Sequence, residues 1–414
     1  MQLKTILNRV QKFKSFVYTA VRWGAGGVLE VEVAPRANGR PLCSGCERAC
    51  PGYDRLPVRR FEFVPLWGMR VFLVYAPRRV DCRRCGVRVE RLPWATGKHA
   101  LTDTYAWFLA RWARRLSWKE VAEVFNTSWD SVFRSVEMAV AWGREHMNLE
   151  GVRAIGIDEI AWQRGHKYLT LVYQIDPHCK RLLWIGEKRK VKTLLRFFRW
   201  FGKERSAALT HICSDMWKPY LKVIAKKAST AVHVLDRFHI MSHFSKALDE
   251  VRAGETKALK AKGLEPVLTK TRWLLLKRPE RLSEKQHARL ADLLQYNLRS
   301  VRSYLLKEAF QTFWTYSSAH WAGQFLDQWC KETMRSKIEP MKKVARMLRA
   351  HRPLLLNWFR AKGQLSSGIV EGFNTKAKLT ARKSFGFRTY HAMEIALYHA
   401  LGALPEPESA HRFC

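Results

Sequence analysis

Apolar positions change period along this chain, and each change marks a different kind of element. Leu3, Ile6, Leu7, Val10 and Phe13 recur at helical spacing on a basic amphipathic start, whereas Val28 to Val33 alternates as a strand does. Arg59 to Val64 and Met69 to Tyr75 read as a strand pair. From Asp103 to Gly143 the period becomes helical. Ser117-Trp118-Lys119-Glu120 has the spacing of a capping box and opens a helix carrying Val121, Ala122, Val124 and Phe125. Asn126-Thr127 breaks it, and Ser128 can cap a second helix bearing Val132, Phe133, Val136 and Val140. Helix, short turn and helix fit a helix-turn-helix, with Trp129, Asp130, Ser131 and Arg134 placed near a major groove. A plain helical hairpin has the same pattern.

The run from Ala154 to Trp162 wants to be a buried strand, yet Asp158 stands in its middle. An isolated buried carboxylate costs on the order of several kcal/mol unless a metal or cation compensates it, so this conflict predicts a metal site. Lys167 to Asp176 reads as a second strand across a turn at Gly165, and Arg181 to Glu187 as a third across Asp176-Pro177. A helix follows at Val191 to Phe201, then a short apolar strand, Ala208 to Cys213, ending in Ser214-Asp215. A last strand, Ala231 to Leu235, runs into Asp236-Arg237-Phe238-His239. Asp236 and His239 are expected to hold each other and support the acid site. Residues 240–360 show helical periodicity and few strand signals. The third acid lies in Ser366-Ser367-Gly368-Ile369-Val370-Glu371-Gly372-Phe373-Asn374. On a helix, Glu371, Thr375, Lys378 and Arg382 share one face, while Val370, Phe373, Ala377 and Ala381 can lie against a core. Ser384-Phe385-Gly386-Phe387-Arg388 adds an aromatic and basic turn suited to stacking or clamping nucleic acid. This order predicts an α/β chain: an RNase-H-like mixed-sheet catalytic core with an all-helical insertion.

Charge changes the picture more than composition does. The 74 Lys and Arg against 36 Asp and Glu leave a net charge of +38, spread over every region, which favours a polyanionic partner. The 47% hydrophobic content can bury real cores, so the chain is not disordered. No apolar run approaches the about 20 residues that span a bilayer, which points away from the membrane and toward a cytoplasmic protein. Among the nine cysteines, Cys43 with Cys46 and Cys82 with Cys85 form two Cys-x-x-Cys knuckles, the pattern of a four-cysteine structural Zn²⁺ site; Cys50 is a spare. Arg78, Arg79, Arg83, Arg84, Arg88 and Arg91 crowd the second knuckle, some to follow a phosphate backbone and some as a solvated face.

Taken together, the knuckles, Gly156-Ile157-Asp158-Glu159, Ser214-Asp215-Met216-Trp217-Lys218-Pro219-Tyr220, Asp236-Arg237-Phe238-His239 and Val370-Glu371-Gly372-Phe373-Asn374 with Gly386-Phe387-Arg388 resemble the bacterial insertion-sequence transposases of the ISL-three family. The resemblance spans nearly everything after residue 40. It implies a DDE catalytic triad of Asp158, Asp215 and Glu371 holding Mg²⁺ or Mn²⁺, and a helical block interrupting the core between the second and third acids. Asp158 would bridge two ions, with Asp215 on one and Glu371 on the other, for cleavage and then in-line strand transfer. The expected partners are double-stranded DNA, both element ends and target, and further copies of the chain in a homo-oligomer on DNA; the bound protein would be nucleoid-associated. Arg83, Arg84, Trp129, Ser131, Arg134, Lys378, Arg382 and Arg388 are the expected DNA contacts. The expected division is 1–95 for the N-terminal region with its zinc module, 96–150 for the helix-turn-helix and 151–240 for the first part of the core. It continues with 241–360 for the insertion, 361–404 for the core's C-terminal helix and 405–414 for a tail. A nuclease or resolvase on the same core, or a non-catalytic DNA-binding relic, remains the alternative.

Overall fold

Alternation of β-branched and aromatic residues with charged ones builds two small sheets at the start of the chain. They are seen in a computed structural model that describes residues 3–97, 99–163, 165, 167–264, 267–361, 368–384 and 386–408. Helix α1 (Leu3–Val10) leads into strands β1 (Phe16–Trp23), β2 (Leu29–Pro35), β3 (Gly52–Arg55), β4 (Arg59–Leu66), β5 (Met69–Tyr75), β6 (Arg78–Cys82) and β7 (Gly86–Val89). One sheet has the order β1-β2-β5-β4 and the other β3-β6-β7. Trp94 fills the first sheet's core, ringed edge-on by Phe16, Phe61 and Tyr75. Helices α2 (Asp103–Trp112), α3 (Trp118–Val124) and α4 (Trp129–Glu145) follow. Thr102 and Ser128 cap α2 and α4, and the reciprocal Ser117–Glu120 box caps α3, as its spacing predicts. Tyr105, Phe108, Leu109, Val121, Ala122 and Val132 close their shared core.

The second unit begins with β8 (Ala154–Gln163), β9 (Lys167–Asp176) and β10 (Cys179–Glu187), an antiparallel meander. After α5 (Val191–Phe201) and α6 (Lys203–Ala207) come β11 (His211–Ser214), α7 (Lys218–Lys227) and β12 (Val232–Leu235). The five strands lie in the order β10-β9-β8-β11-β12, with β11 parallel to both β8 and β12. The strand expected from Ala208 starts only at His211, because the Ala208 N–H still serves the Glu204 carbonyl of α6. The helical stretch after β12 consists of α8 (Arg237–Ala261), α9 (Arg272–Leu276), α10 (Glu284–Leu294), α11 (Arg299–Gln311), α12 (Ala319–Arg335), α13 (Glu339–Ala350) and α14 (Arg352–Arg360). Phe244, Phe310, Phe313, Leu326 and Trp329 are among its buried residues, in a cluster continuous with Leu235 of β12. Helix α15 (Gly368–Lys383) then returns to the sheet.

The chain's two compact units are built from 149–381 and from 1–148 with 382–414. Helix α16 (Tyr390–Leu401) therefore groups with the N-terminal unit rather than with the unit of the five-stranded sheet, unlike the sequence-based division. The reason lies in its surface, which is apolar over most of its circumference: Met393, Ile395, Ala396, Leu397 and Tyr398 are all buried. Glu394 pairs with Arg144 at 3.2 Å, and beyond the helix Glu406 pairs with Arg111 at 2.7 Å. Ser366, Ser367, Phe385 and the tail beyond residue 408 lie outside the described residues. Among the described residues, no helix is long and apolar enough to cross a membrane.

Candidate active site

Three acids follow one another across the parallel part of the sheet because the strand register puts them there. Ile157 of β8 pairs with Ser214 of β11, and Ser214 pairs with Leu235 of β12. The next residue along the chain is Asp158 within β8, Asp215 just past β11 and Asp236 just past β12. Such open α/β sheets gather ligands at the carboxyl ends of their parallel strands. Asp158 is buried; its Oδ1 accepts the Glu159 N–H at 2.7 Å, and its Oδ2 accepts from Asn374 Nδ2 and lies 3.7 Å from His239 Nε2. Asp236 caps α8 by accepting the Phe238 N–H at 2.7 Å, and its Oδ2 is 3.9 Å from His239. Ligand atoms of Asp158, Asp236 and His239 all lie within 4.8 Å of one another. The two carboxylates are the oxygen ligands that suit a hard divalent cation such as Mg²⁺ or Mn²⁺, with the imidazole beside them.

Asp215 and Glu371 are not in that group of three. Asp215 Oδ1 accepts the Trp217 N–H at 2.9 Å, and its Oδ2 accepts from Arg189 Nη2 at 2.8 Å. Glu371 is exposed in the first turn of α15, and it is Asn374, one turn later, that reaches Asp158. Burial, and then the charge of Asp215, push the Glu159 carboxyl up to about 8, although Arg189 opposes the shift. The hydrogen bond to Asp158 raises His239 to about 9 against the cost of desolvation. The bond to Asp158 thus favours the protonated form of the imidazole.

Helix α15 can lie on the sheet because β8 carries a glycine beneath it. A Cβ at Gly156 would overlap the Val370 side chain. The helix buries Val370, Asn374 and Ala377, a stripe at i, i+4 and i+7, while Phe373 is half-buried and stacked on Tyr173 at 4.9 Å. The expected stripe had Phe373 and Ala381 in place of Asn374. Asn374 is buried because both ends of its amide are used: Oδ1 accepts from Tyr173 Oη at 2.9 Å, and Nδ2 donates to Asp158. Asn374 and Glu159 stood inside recognised motifs without a role. The signal for Asn374 was a polar residue at a core position of the helix; Arg189 left none, since its partners come from β8 and the end of β11.

In the N-terminal unit the thiols of Cys43, Cys46, Cys82 and Cys85 lie within 4.8 Å of one another. Zn–S bonds of about 2.3 Å in a tetrahedron require sulfurs about 3.8 Å apart, so this quartet fits zinc. The N–H groups of Arg84 and Cys85 pull the Cys82 thiol down to about 6, whereas desolvation and the neighbouring thiols push Cys85 up to about 12. Cys50 packs beside the quartet, but desolvation and Cys82 push its thiol up to about 11. Three of the six arginines here serve acids: Arg78 with buried Glu90, Arg79 with Asp54 and Arg91 with Glu47. Arg83 and Arg84 remain exposed on the knuckle. On α4, Trp129 is half-exposed and stacked on Phe133, Ser131 bonds the capping Ser128, and Arg134 pairs with Asp130. Lys378, Arg382 and Arg388 are exposed.

Comparison with known proteins gives these arrangements a context. The transposase family model of the ISL3 DDE type matches residues 155–397. The transposase for insertion sequence element IS1001 of Bordetella parapertussis is 28% identical over 366 residues, covering 88% of this chain and 89% of that protein. The transposase for insertion sequence element IS1557 of Mycobacterium tuberculosis is 30% identical over 407 residues, covering 89% and 88%.

Proposed function

Because the chain belongs to the ISL3 family of insertion-sequence transposases, we propose that it binds the ends of an insertion sequence and catalyses metal-dependent strand cleavage and strand transfer by a DDE mechanism. The observation that carries this reading is the register that lines up Asp158, Asp215 and Asp236 on the parallel strands β8, β11 and β12; the strand order β10-β9-β8-β11-β12 is the one we would expect of an RNase-H-like core. Asp158 and Asp215 would hold the divalent ions, with Glu371 as the third carboxylate from α15. Asn374 and His239 would orient Asp158 through its Oδ2, with Asp236 bracing His239. Divalent ions held there supply Lewis-acid activation of a water or 3′-hydroxyl and neutralise charge on the phosphodiester. The residues themselves fix the carboxylates in place and hold His239 against Asp158. The four-cysteine module would hold Zn²⁺, and with α3 and α4 as a helix-turn-helix it would read the element ends, through Arg83, Arg84, Trp129, Ser131 and Arg134. Lys378, Arg382 and Arg388 would receive the DNA backbone. Joining two ends calls for at least two copies of the chain on DNA.

The deciding experiment is Mg²⁺-dependent reaction of the chain with the DNA that flanks its own gene. A nick at a defined end followed by a joined product is expected. Cleavage without joining would leave a nuclease, and binding without cleavage would overturn the enzymatic reading.

The seat of α15 makes a further prediction. Gly156→Val forces Val370, and the helix with it, away from β8 and draws Asn374 off Asp158. A displacement of about 1 Å at such a site costs about 100-fold in rate, and the overpacking costs about 1–3 kcal/mol of stability. Cleavage at the native rate by a folded Gly156→Val chain would remove the seat of α15 from the mechanism.

A further inference from the structure

The acid site contains a cation of its own. Arg189 follows β10 in a turn where Lys188 adopts the left-handed conformation (φ 72°) and gives its N–H to the Tyr168 carbonyl at 2.8 Å. The fixed turn aims Arg189 at the carboxylates. Its Nε donates to Glu159 Oε1 at 3.1 Å and its Nη2 to Asp215 Oδ2 at 2.8 Å. The guanidinium lies 4.6 Å from the centre of the Trp217 ring, and its side chain is only one-third exposed. The backbone N–H of Trp217 already occupies the other oxygen of Asp215.

We propose that Arg189 is a resident counter-cation of the site, a latch that neutralises Asp215 and is steadied by the Glu159 carboxyl until a divalent ion displaces it from Asp215. The proposal rests on the reading of Asp215 as a metal ligand. Carboxylates crowded into one partly buried place repel one another unless positive charge lies nearby, and the guanidinium supplies it at Asp215. A divalent ion about 2 Å from Asp215 Oδ2 would sit within about 5 Å of that guanidinium. The repulsion between them makes the two cations alternatives rather than partners. Trp217 cradles the guanidinium face and Lys188 fixes the approach, so the latch is held in place, yet its exposed third leaves it a way out.

The test is titration of Mn²⁺ into the full-length chain without DNA, with free Mn²⁺ read by electron paramagnetic resonance and folding checked by thermal melting. Arg189→Gln should bind Mn²⁺ about tenfold more tightly than the native chain, since one repelling charge is gone. Arg189→Lys keeps the charge and should stay close to native affinity. Trp217→Leu, which only loosens the cradle, should tighten binding by about threefold. Asp215→Asn should weaken it. A merely structural arginine would give the opposite sign, with looser binding in Arg189→Gln. Unchanged or weaker Mn²⁺ binding in folded Arg189→Gln overturns the latch; should that variant fail to fold, unchanged or weaker binding in Trp217→Leu does so. Native affinity in Asp215→Asn would instead remove Asp215 as a ligand, and with it both the latch and this part of the proposed function.

Discussion

Asp158→Asn should abolish strand cleavage, slowing it by at least about 10³-fold, while the variant still binds element ends and melts within about 5 °C of the native chain. The rate follows from charge. A factor of 10³ corresponds to about 4 kcal/mol of barrier, within reach of what a correctly placed divalent ion contributes, and an amide holds such an ion poorly. Stability follows from a balance between two small terms. The asparagine has one acceptor oxygen, so it keeps only one of the bonds from the Glu159 N–H and Asn374 Nδ2, a loss of about 1 kcal/mol. Against that, removing one of several neighbouring carboxylates relieves their repulsion. A separate readout is the imidazole of His239, whose elevation to about 9 comes first from its hydrogen bond to Asp158. In the variant it should titrate closer to the ordinary histidine range by NMR. Native cleavage rates in Asp158→Asn would take this residue out of the chemistry, and an unmoved His239 would mean the two groups do not interact in solution.

Cys82→Ser should cost the chain its zinc and, with it, recognition of the element ends by at least about 100-fold, while the unit of residues 149–381 stays folded. The N-terminal knuckles have little else to hold them. Their core consists of Cys43, Val80 and Cys82, with Cys46, Cys50 and Cys85 packed around it. The sheet of β3, β6 and β7 has only three short strands. A structural zinc site contributes on the order of 10 kcal/mol to such a module, far more than so few apolar residues can. The second unit has its own large aromatic core around Phe244, Phe310 and Trp329, and needs no metal to stay folded. Metal analysis of the native chain should find one zinc, retained in Cys50→Ser and lost in Cys82→Ser. A native chain purified without zinc, or a Cys82→Ser chain that binds ends normally, would refute the assignment.

Local chemistry made much of this protein readable in advance. Capping residues such as Ser117, Glu120 and Ser128 act within one helical turn, so their helices start where the spacing says. The knuckles are similarly local, and two Cys-x-x-Cys pairs need only approach each other to make the quartet. Asp158, set against an otherwise apolar strand, announced its need for a partner before any partner was known.

The identity of those partners was decided only by tertiary structure. Which acids share a level depends on the register of β8, β11 and β12, set by pairings such as Ala154 with His211 and His211 with Val232, far beyond the reach of local sequence. Asn374 meets Asp158 only because Gly156 lets α15 settle on the sheet, and helical period alone favoured Phe373 for the buried position. Arg189 came from a turn that carried no motif, and α16 joined the N-terminal unit because it is apolar on nearly every side. Short-range bonding is written in neighbouring residues, whereas the pairing of distant charges depends on which surfaces the folded chain brings together.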